Sequence, residues 1–119
     1  MGLFSSKQKP EFPWVNLTSS EQLHELFDSS VEKPVLLFKH STRCSISSMA
    51  LNRFETKMDP EKAICVYLDL LAYRSLSDEI AELTKVQHQS PQAILINNRE
   101  VIYSATHSEI DASEIMKLI

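Results

Sequence analysis

Apolar and polar positions fall into two periods along the chain. Pro34-Val35-Leu36-Leu37-Phe38 and Ala63-Ile64-Cys65-Val66-Tyr67-Leu68-Asp69 are near-continuous apolar runs, the pattern of strands buried on both faces. Trp14-Val15-Asn16-Leu17 alternates large and polar residues as a short strand. Ala93-Ile94-Leu95-Ile96 and Val101-Ile102-Tyr103 are strands joined across Asn97-Asn98-Arg99-Glu100, a polar link in which asparagine tolerates positive φ, so a hairpin is expected. Helical spacing lies between these runs. Thr18-Ser19-Ser20-Glu21 is a capping-box pattern, followed by Leu23, Leu26 and Phe27 at i, i+3 and i+4. A longer helix is predicted from Ser45 to Met58, with Ile46, Ala50, Phe54 and Met58 on one face and Asp59-Pro60 ending it. Ser75 is positioned to cap a third helix, with Asp78 and Glu79 in its first turn and Leu76, Ile80 and Leu83 inside. Asp111 or Ser113 starts a last helix that uses Ile115 and Leu118.

The predicted order is β-α-β-α-β-α-β-β-α. Alternating units imply parallel strands with crossover helices, and the closing hairpin adds antiparallel strands. This α/β layout is that of the thioredoxin-like fold, a central mixed sheet of about five strands with helices on both faces. Residues 1–13, with Pro10 and Pro13, are expected to be a flexible leader, and residues 14–119 the domain.

Composition narrows the partners. The 119 residues suit one domain, and 43% apolar with 24% charged residues is the mix of a soluble globular protein. A net charge of −4 without a basic block argues against nucleic acid as a partner. No apolar stretch approaches the roughly 18 residues of a membrane span. Without a signal-peptide pattern, and with two cysteines, the expected setting is a reducing cytoplasm and the expected state a monomer or weak dimer. Met1-Gly2-Leu3-Phe4-Ser5-Ser6 fits a loose acylation pattern, which is set aside as a common chance match. Gly2 is the only glycine, which excludes a glycine-rich phosphate loop. His24, His40, His88 and His107 are scattered singly, so no metal site and no bound cofactor are expected.

The candidate chemistry centres on Cys44, which sits between an apolar run and a helical one. At a strand-to-helix junction, unpaired amides and the helix dipole stabilise an anion, and the thiolate is the nucleophilic form of cysteine. Backbone amides near Ser45, Ile46 and Ser47 are the expected supports, and Arg43, Lys39 and protonated His40 are read as nearby positive charge. Ser47 stands where a second cysteine would complete Cys-x-x-Cys, so the site reads as monothiol. Ser90-Pro91, just before the fourth strand, is expected to be cis and to lie alongside Cys44, leaving the Ser90 backbone to pair with a substrate. Cys65 reads as a packed core residue or, alternatively, a resolving cysteine. His88 reads as a solvated loop residue or as a group that contacts a bound thiol.

Phe38-Lys39-His40-Ser41-Thr42-Arg43-Cys44-Ser45-Ile46-Ser47 and Val86-Gln87-His88-Gln89-Ser90-Pro91-Gln92-Ala93, together with Arg74-Ser75-Leu76-Ser77, resemble the signature segments of the YtxJ-like monothiol bacilliredoxins. The resemblance runs from about Val15 to the C-terminus. It implies a thioredoxin-fold oxidoreductase of the bacillithiol redox system of low-GC Gram-positive bacteria. Cys44 would be the nucleophile, Pro91 the cis-proline, bacillithiol the co-substrate and bacillithiolated proteins the partners. Where such sites often read Cys-Pro-x-Ser, this chain has Ser45, which lacks the pre-set φ of a proline in the first turn. Two other classes use one cysteine or none on this layout. One is an iron–sulfur carrier of the monothiol glutaredoxin type, whose site resembles Cys-Gly-Phe-Ser rather than Cys-Ser-Ile-Ser. The other is a non-catalytic binding module.

Overall fold

The computed structural model describes residues 11–119, so residues 1–10 of the expected leader, including the Met1–Ser6 pattern, lie outside the described residues. Its centre is the strand β2 (Val35–His40), buried along its whole length. β1 (Val15–Asn16) and β3 (Ile64–Asp69) lie on one side of it, β4 (Gln92–Asn97) and β5 (Glu100–Thr106) on the other, in the order β1-β3-β2-β4-β5. β1 and β2 each pair parallel with β3, whereas β4 pairs antiparallel with β2 and β5 with β4. The mixed sheet expected from the pattern is therefore present.

Among the described residues, four α-helices complete the layers: α1 (Ser20–Ser29), α2 (Ser45–Lys57), α3 (Arg74–Thr84) and α4 (Ala112–Met116). Strand alternation sends Leu36 and Phe38 to one face, where they meet Ala50, Phe54, Cys65 and Ile115. Val35 and Leu37 go to the other, against Leu23, Ile80 and Ile94. Each fully buried leucine, isoleucine or phenylalanine in these layers contributes roughly 1.5–3 kcal/mol by leaving water. Trp14 extends the first layer, stacking on Phe54 at 5.6 Å between ring centroids. Phe12, inside the segment read as leader, packs tilted against Trp14 at 4.7 Å. No helix among the described residues is long and apolar enough to cross a membrane.

Local signals explain most boundaries and correct a few. The hairpin turns on Asn98 and Arg99, both with positive φ (55° and 64°), the geometry of a two-residue type I′ link. The first helix is capped by Ser19, whose Oγ accepts from Gln22 N at 3.2 Å, while Gln22 Oε1 accepts from Thr18 N at 2.8 Å. The working box is thus Ser19–Gln22 rather than Thr18–Glu21, because glutamine reaches back as well as glutamate does. The third helix starts at Arg74, not after Ser75. The Asp69 carboxylate accepts from Leu71 N and the Asp69 carbonyl from Tyr73 N, and this turn delivers the chain into helix before Ser75 is reached. In α2 the buried stripe is Ser47, Ala50 and Phe54, and Ile46, one position off it, is 58% exposed. Leu118 is also exposed, because α4 ends at Met116.

Parallel pairing puts the C-terminal ends of β2 and β3 at one edge of the sheet, where the antiparallel β4 begins. The loops that leave or enter there carry residues 41–44, 70–73 and 88–91. Leu70 N donates to His40 O at 2.9 Å and ties the first two loops together.

Candidate active site

Cys44 is the N-cap of α2, in extended conformation (φ −108°, ψ 120°) and half-buried. Its own amide donates to Ser41 O at 3.1 Å, closing a turn off the end of β2. The first bond of the helix runs from Ser48 N to Cys44 O at 3.0 Å, so the amides of Ser45, Ile46 and Ser47 have no acceptor within the helix. An N-cap side chain sits over such amides, a place usually taken by a serine or aspartate oxygen. Here the side chain is a thiol, which makes no capping hydrogen bond as a neutral group. Ionised, its sulfur becomes an acceptor at the positive end of a 13-residue helix. Arg43, Ser45 and Ile46 are exposed around it.

Ser47 has a different place. It is fully buried, its Oγ accepts from Ser41 N at 3.1 Å, and it lies 2.7 Å from His40 Nδ1. One hydroxyl thus joins the end of β2, the turn before Cys44 and the first turn of α2. Burial lowers the His40 pKa below its usual 6.5, against the smaller opposing pull of Asp69 and Glu55. His40 is consequently a neutral hydrogen-bonding group at neutral pH, not the added positive charge the sequence suggests.

Pro91 reaches the same end of the sheet from the other side. Lys39 pairs with Gln92 in the β2–β4 ladder, so Pro91 stands one step further, level with His40. The Ser90–Pro91 bond is cis, and Pro91 O accepts from His107 N at 3.1 Å. The Ser90 hydroxyl is enclosed without a partner among the described residues. Topology therefore brings Ser90 and Pro91 to the sheet edge from which the Cys44 turn leaves.

Lys39 does not join the charges on the side of α2. Alternation along β2 sends it to the opposite face, where it is 0% exposed and its Nζ lies 3.1 Å from His88 Nδ1. Ser77 Oγ approaches the same nitrogen at 2.8 Å. His88 is thus a half-buried, hydrogen-bonded loop residue rather than a solvated one. Alternation is the signal that separates Lys39 from His40 in the sequence; nothing local announces His88 as the partner of Lys39, or Ser77 as that of His88.

Cys65 is buried in the layer beneath α2, and burial pushes its thiol up to about 12. Such a thiol is inert at neutral pH. A cavity of about 580 Å³ lies against β1 and the middle of α2, lined by Trp14, Asn52, Glu55 and Tyr67 among others. Neither Cys44 nor Pro91 lines it; Cys44 is half-buried, between the exposed Arg43 and Ser45.

The chain is similar to known proteins in sequence and fold. A family model described as "Monothiol bacilliredoxin BrxC" matches residues 15–115. A solved structure of a thioredoxin-fold protein proposed to be an oxidoreductase is 32% identical, covers 87% of this chain and 90% of its own, and superposes with a TM-score of 0.76. The thioredoxin Mala s 13 of Malassezia sympodialis is 17% identical with a TM-score of 0.67, covering 93% of this chain and 91% of its own. The thioredoxin of Trypanosoma brucei brucei is 13% identical with a TM-score of 0.66, covering 93% and 92% respectively. The two thioredoxins, at such identities, are similar in fold alone.

Proposed function

The chain belongs to the monothiol bacilliredoxin family of thiol–disulfide oxidoreductases, and from that premise we propose that it removes bacillithiol from protein mixed disulfides through Cys44. The Cys44 thiolate attacks the bacillithiol sulfur of a modified protein. A Cys44–bacillithiol disulfide forms, the protein–bacillithiol bond breaks, and the protein sulfur leaves as a thiolate that takes up a proton. A second bacillithiol thiolate then attacks the bacillithiol sulfur of the adduct. Cys44 is released as thiolate and bacillithiol disulfide carries away the oxidising equivalents; a partner reductase would serve the same step.

The observation that carries this reading is the position of Cys44 as N-cap over the free amides of α2, with no second thiol placed to intercept the adduct. Ser47 occupies the Cys-x-x-Cys position and is committed to His40 and Ser41. Cys65 is buried and held protonated. The exposed residues around the half-buried Cys44, and the loop that brings Ser90 and Pro91 to the same end of the sheet, suit an extended protein segment carrying the mixed disulfide.

The test is intact mass without reductant after incubation with oxidised bacillithiol, with glutathione disulfide alongside. One bacillithiol adduct is expected on the wild type and on Cys65→Ser, and none on Cys44→Ser. An adduct that persists in Cys44→Ser, or no adduct on any variant, overturns the reading.

A further inference from the structure

The C-terminal end of β2 buries a lysine that the thiol chemistry does not use. Lysine is rarely buried without a partner, because the ammonium loses its hydration. Lys39 is 0% exposed, and its hydrogen-bond partner is His88 Nδ1 at 3.1 Å. The charged groups that face it are Asp78, which favours its charge, and Arg74, which opposes it; both lie on α3. Lys39 and Arg74 both disfavour a charge on His88, and its own partial burial does so more.

With Lys39 charged, these contacts favour one protonation state of His88. An ammonium has three donors and no acceptor, and an imidazole nitrogen offers either one lone pair or one proton. Lys39 can donate to His88 Nδ1 only if that nitrogen is unprotonated. A neutral ring with a bare Nδ1 carries its proton on Nε2. The Ser77 hydroxyl, 2.8 Å away, must then share the lone pair as a second donor. Were Lys39 uncharged, the ring could turn the arrangement round and donate from Nδ1 to Ser77 Oγ.

His88 lies in the stretch between α3 and β4 that carries Ser90 and Pro91. That stretch is held at the preceding residue too, where Gln92 Nε2 donates to Gln87 O at 3.0 Å. Gln92 is the ladder partner of Lys39. Two buried side chains on neighbouring strands therefore grip consecutive residues of the loop.

We propose that Lys39 is a positioning residue for the Ser90–Pro91 loop, acting through His88, whose proton it confines to Nε2. The role rests on the reading that a disulfide substrate lies against this loop beside Cys44. The charge of Lys39 sets which way the His88 ring bonds, and the ring sets where the loop stands when the mixed disulfide arrives.

The experiment compares wild type with Lys39→Met, which keeps the length of the side chain. Imidazole ¹⁵N spectra at about pH 7 read the His88 tautomer. Wild type should show the Nε2–H form, and Lys39→Met should gain Nδ1–H and titrate closer to the ordinary histidine range. Transfer of bacillithiol from a mixed disulfide to Cys44 should slow by about tenfold in the variant, as expected for a misplaced substrate. Alkylation of Cys44 by iodoacetamide, which needs no loop, should change by less than about twofold. An unchanged spectrum overturns the proposal, and so does a changed spectrum with undiminished transfer. If Lys39→Met does not fold, the wild type supplies the test. Raising the pH through about 8 discharges Lys39, and a His88 tautomer that stays fixed across that range overturns the proposal. Absence of any Cys44 adduct on the wild type is a separate outcome: it overturns the function itself, and this role with it.

Discussion

Lys39 and His40 are neighbours in sequence at the end of one strand, and alternation gives them opposite faces of the sheet. Each is buried, and each meets a serine in the opening turns of a helix: His40 reaches Ser47 of α2, and Lys39 reaches Ser77 of α3 through His88. The α2 side is a closed account of donors and acceptors. The Ser47 oxygen accepts from the Ser41 amide, its remaining lone pair or its proton serves His40, and each member can be satisfied at once. The α3 side is oversubscribed, with two donors aimed at one imidazole nitrogen while Lys39 is charged. A satisfied pair holds one geometry, whereas an oversubscribed one has two arrangements separated by a proton. The rigid device supports the helix that carries the cysteine, and the switchable one supports the loop that faces it.

The sharpest way to break the rigid side is Ser47→Ala. The substitution leaves the buried His40 Nδ1 and the half-buried Ser41 amide without their partner. Leaving buried polar groups unpaired costs about 1–3 kcal/mol each, so unfolding in urea should show a loss of about 2–3 kcal/mol. Adduct formation at Cys44 should fall by about tenfold, since the turn before it loses its tie to β2. A variant of wild-type stability would show that the hydroxyl is incidental. Ser47→Cys should be destabilised as well, because a thiol is a poorer partner for both groups.

Much of this was legible in the residues. The apolar runs foretold β2 and β3, the Asn97–Glu100 link foretold the hairpin, and Ser47 in place of cysteine foretold a monothiol arrangement. The failures share a cause. The apolar spacing puts Ile46 inward, and the motif treats Ser47 as a missing cysteine with a supporting amide, because an amphipathic stripe is judged by apolar residues while the actual stripe includes a buried serine. Its burial makes sense only once His40 is opposite it, a contact made through the fold. Sequence proximity suggests Lys39 as charge beside Cys44, whereas the period of a strand sends it to the other face. The Ser77–His88 contact joins a helix to the following loop, and no spacing rule marks it.

The switchable side can be sharpened by pH. Burial lowers the Lys39 pKa from 10.5 to about 8. Below about pH 8 the ammonium is charged in both folded and unfolded chains, and the folded state carries the cost of burying it. Between about 8 and 10.5 the unfolded chain holds the proton that the folded chain has released, so stability rises with pH. From pH 8 to 9 the gain should be about 1 kcal/mol in wild type and absent in Lys39→Met, read from urea unfolding. A wild type whose stability is flat across that interval would mean that Lys39 finds more hydration or more negative charge than the structure gives it.

The smallest effect falls to the other buried titratable group beneath α2. Burial raises the Cys65 thiol from 9.0 to about 12, so above about pH 9 the unfolded chain ionises while the folded chain does not. The sign is opposite to that of Lys39: the folded state now binds more protons, and stability falls as pH rises. At pH 7 Cys65→Ala should cost only about 0.5–1 kcal/mol, the loss of one small apolar atom from a core, and should leave the Cys44 adduct untouched. At pH 10 the gap between variant and wild type should narrow or reverse, because wild type alone loses about 1 kcal/mol between pH 9 and 10 from this thiol. The double variant Lys39→Met/Cys65→Ala should then lack both the rise and this part of the fall. Additivity is expected, because the two side chains lie on opposite faces of the sheet and share no partner. A departure from additivity would mean that the two faces communicate through β2 and β3.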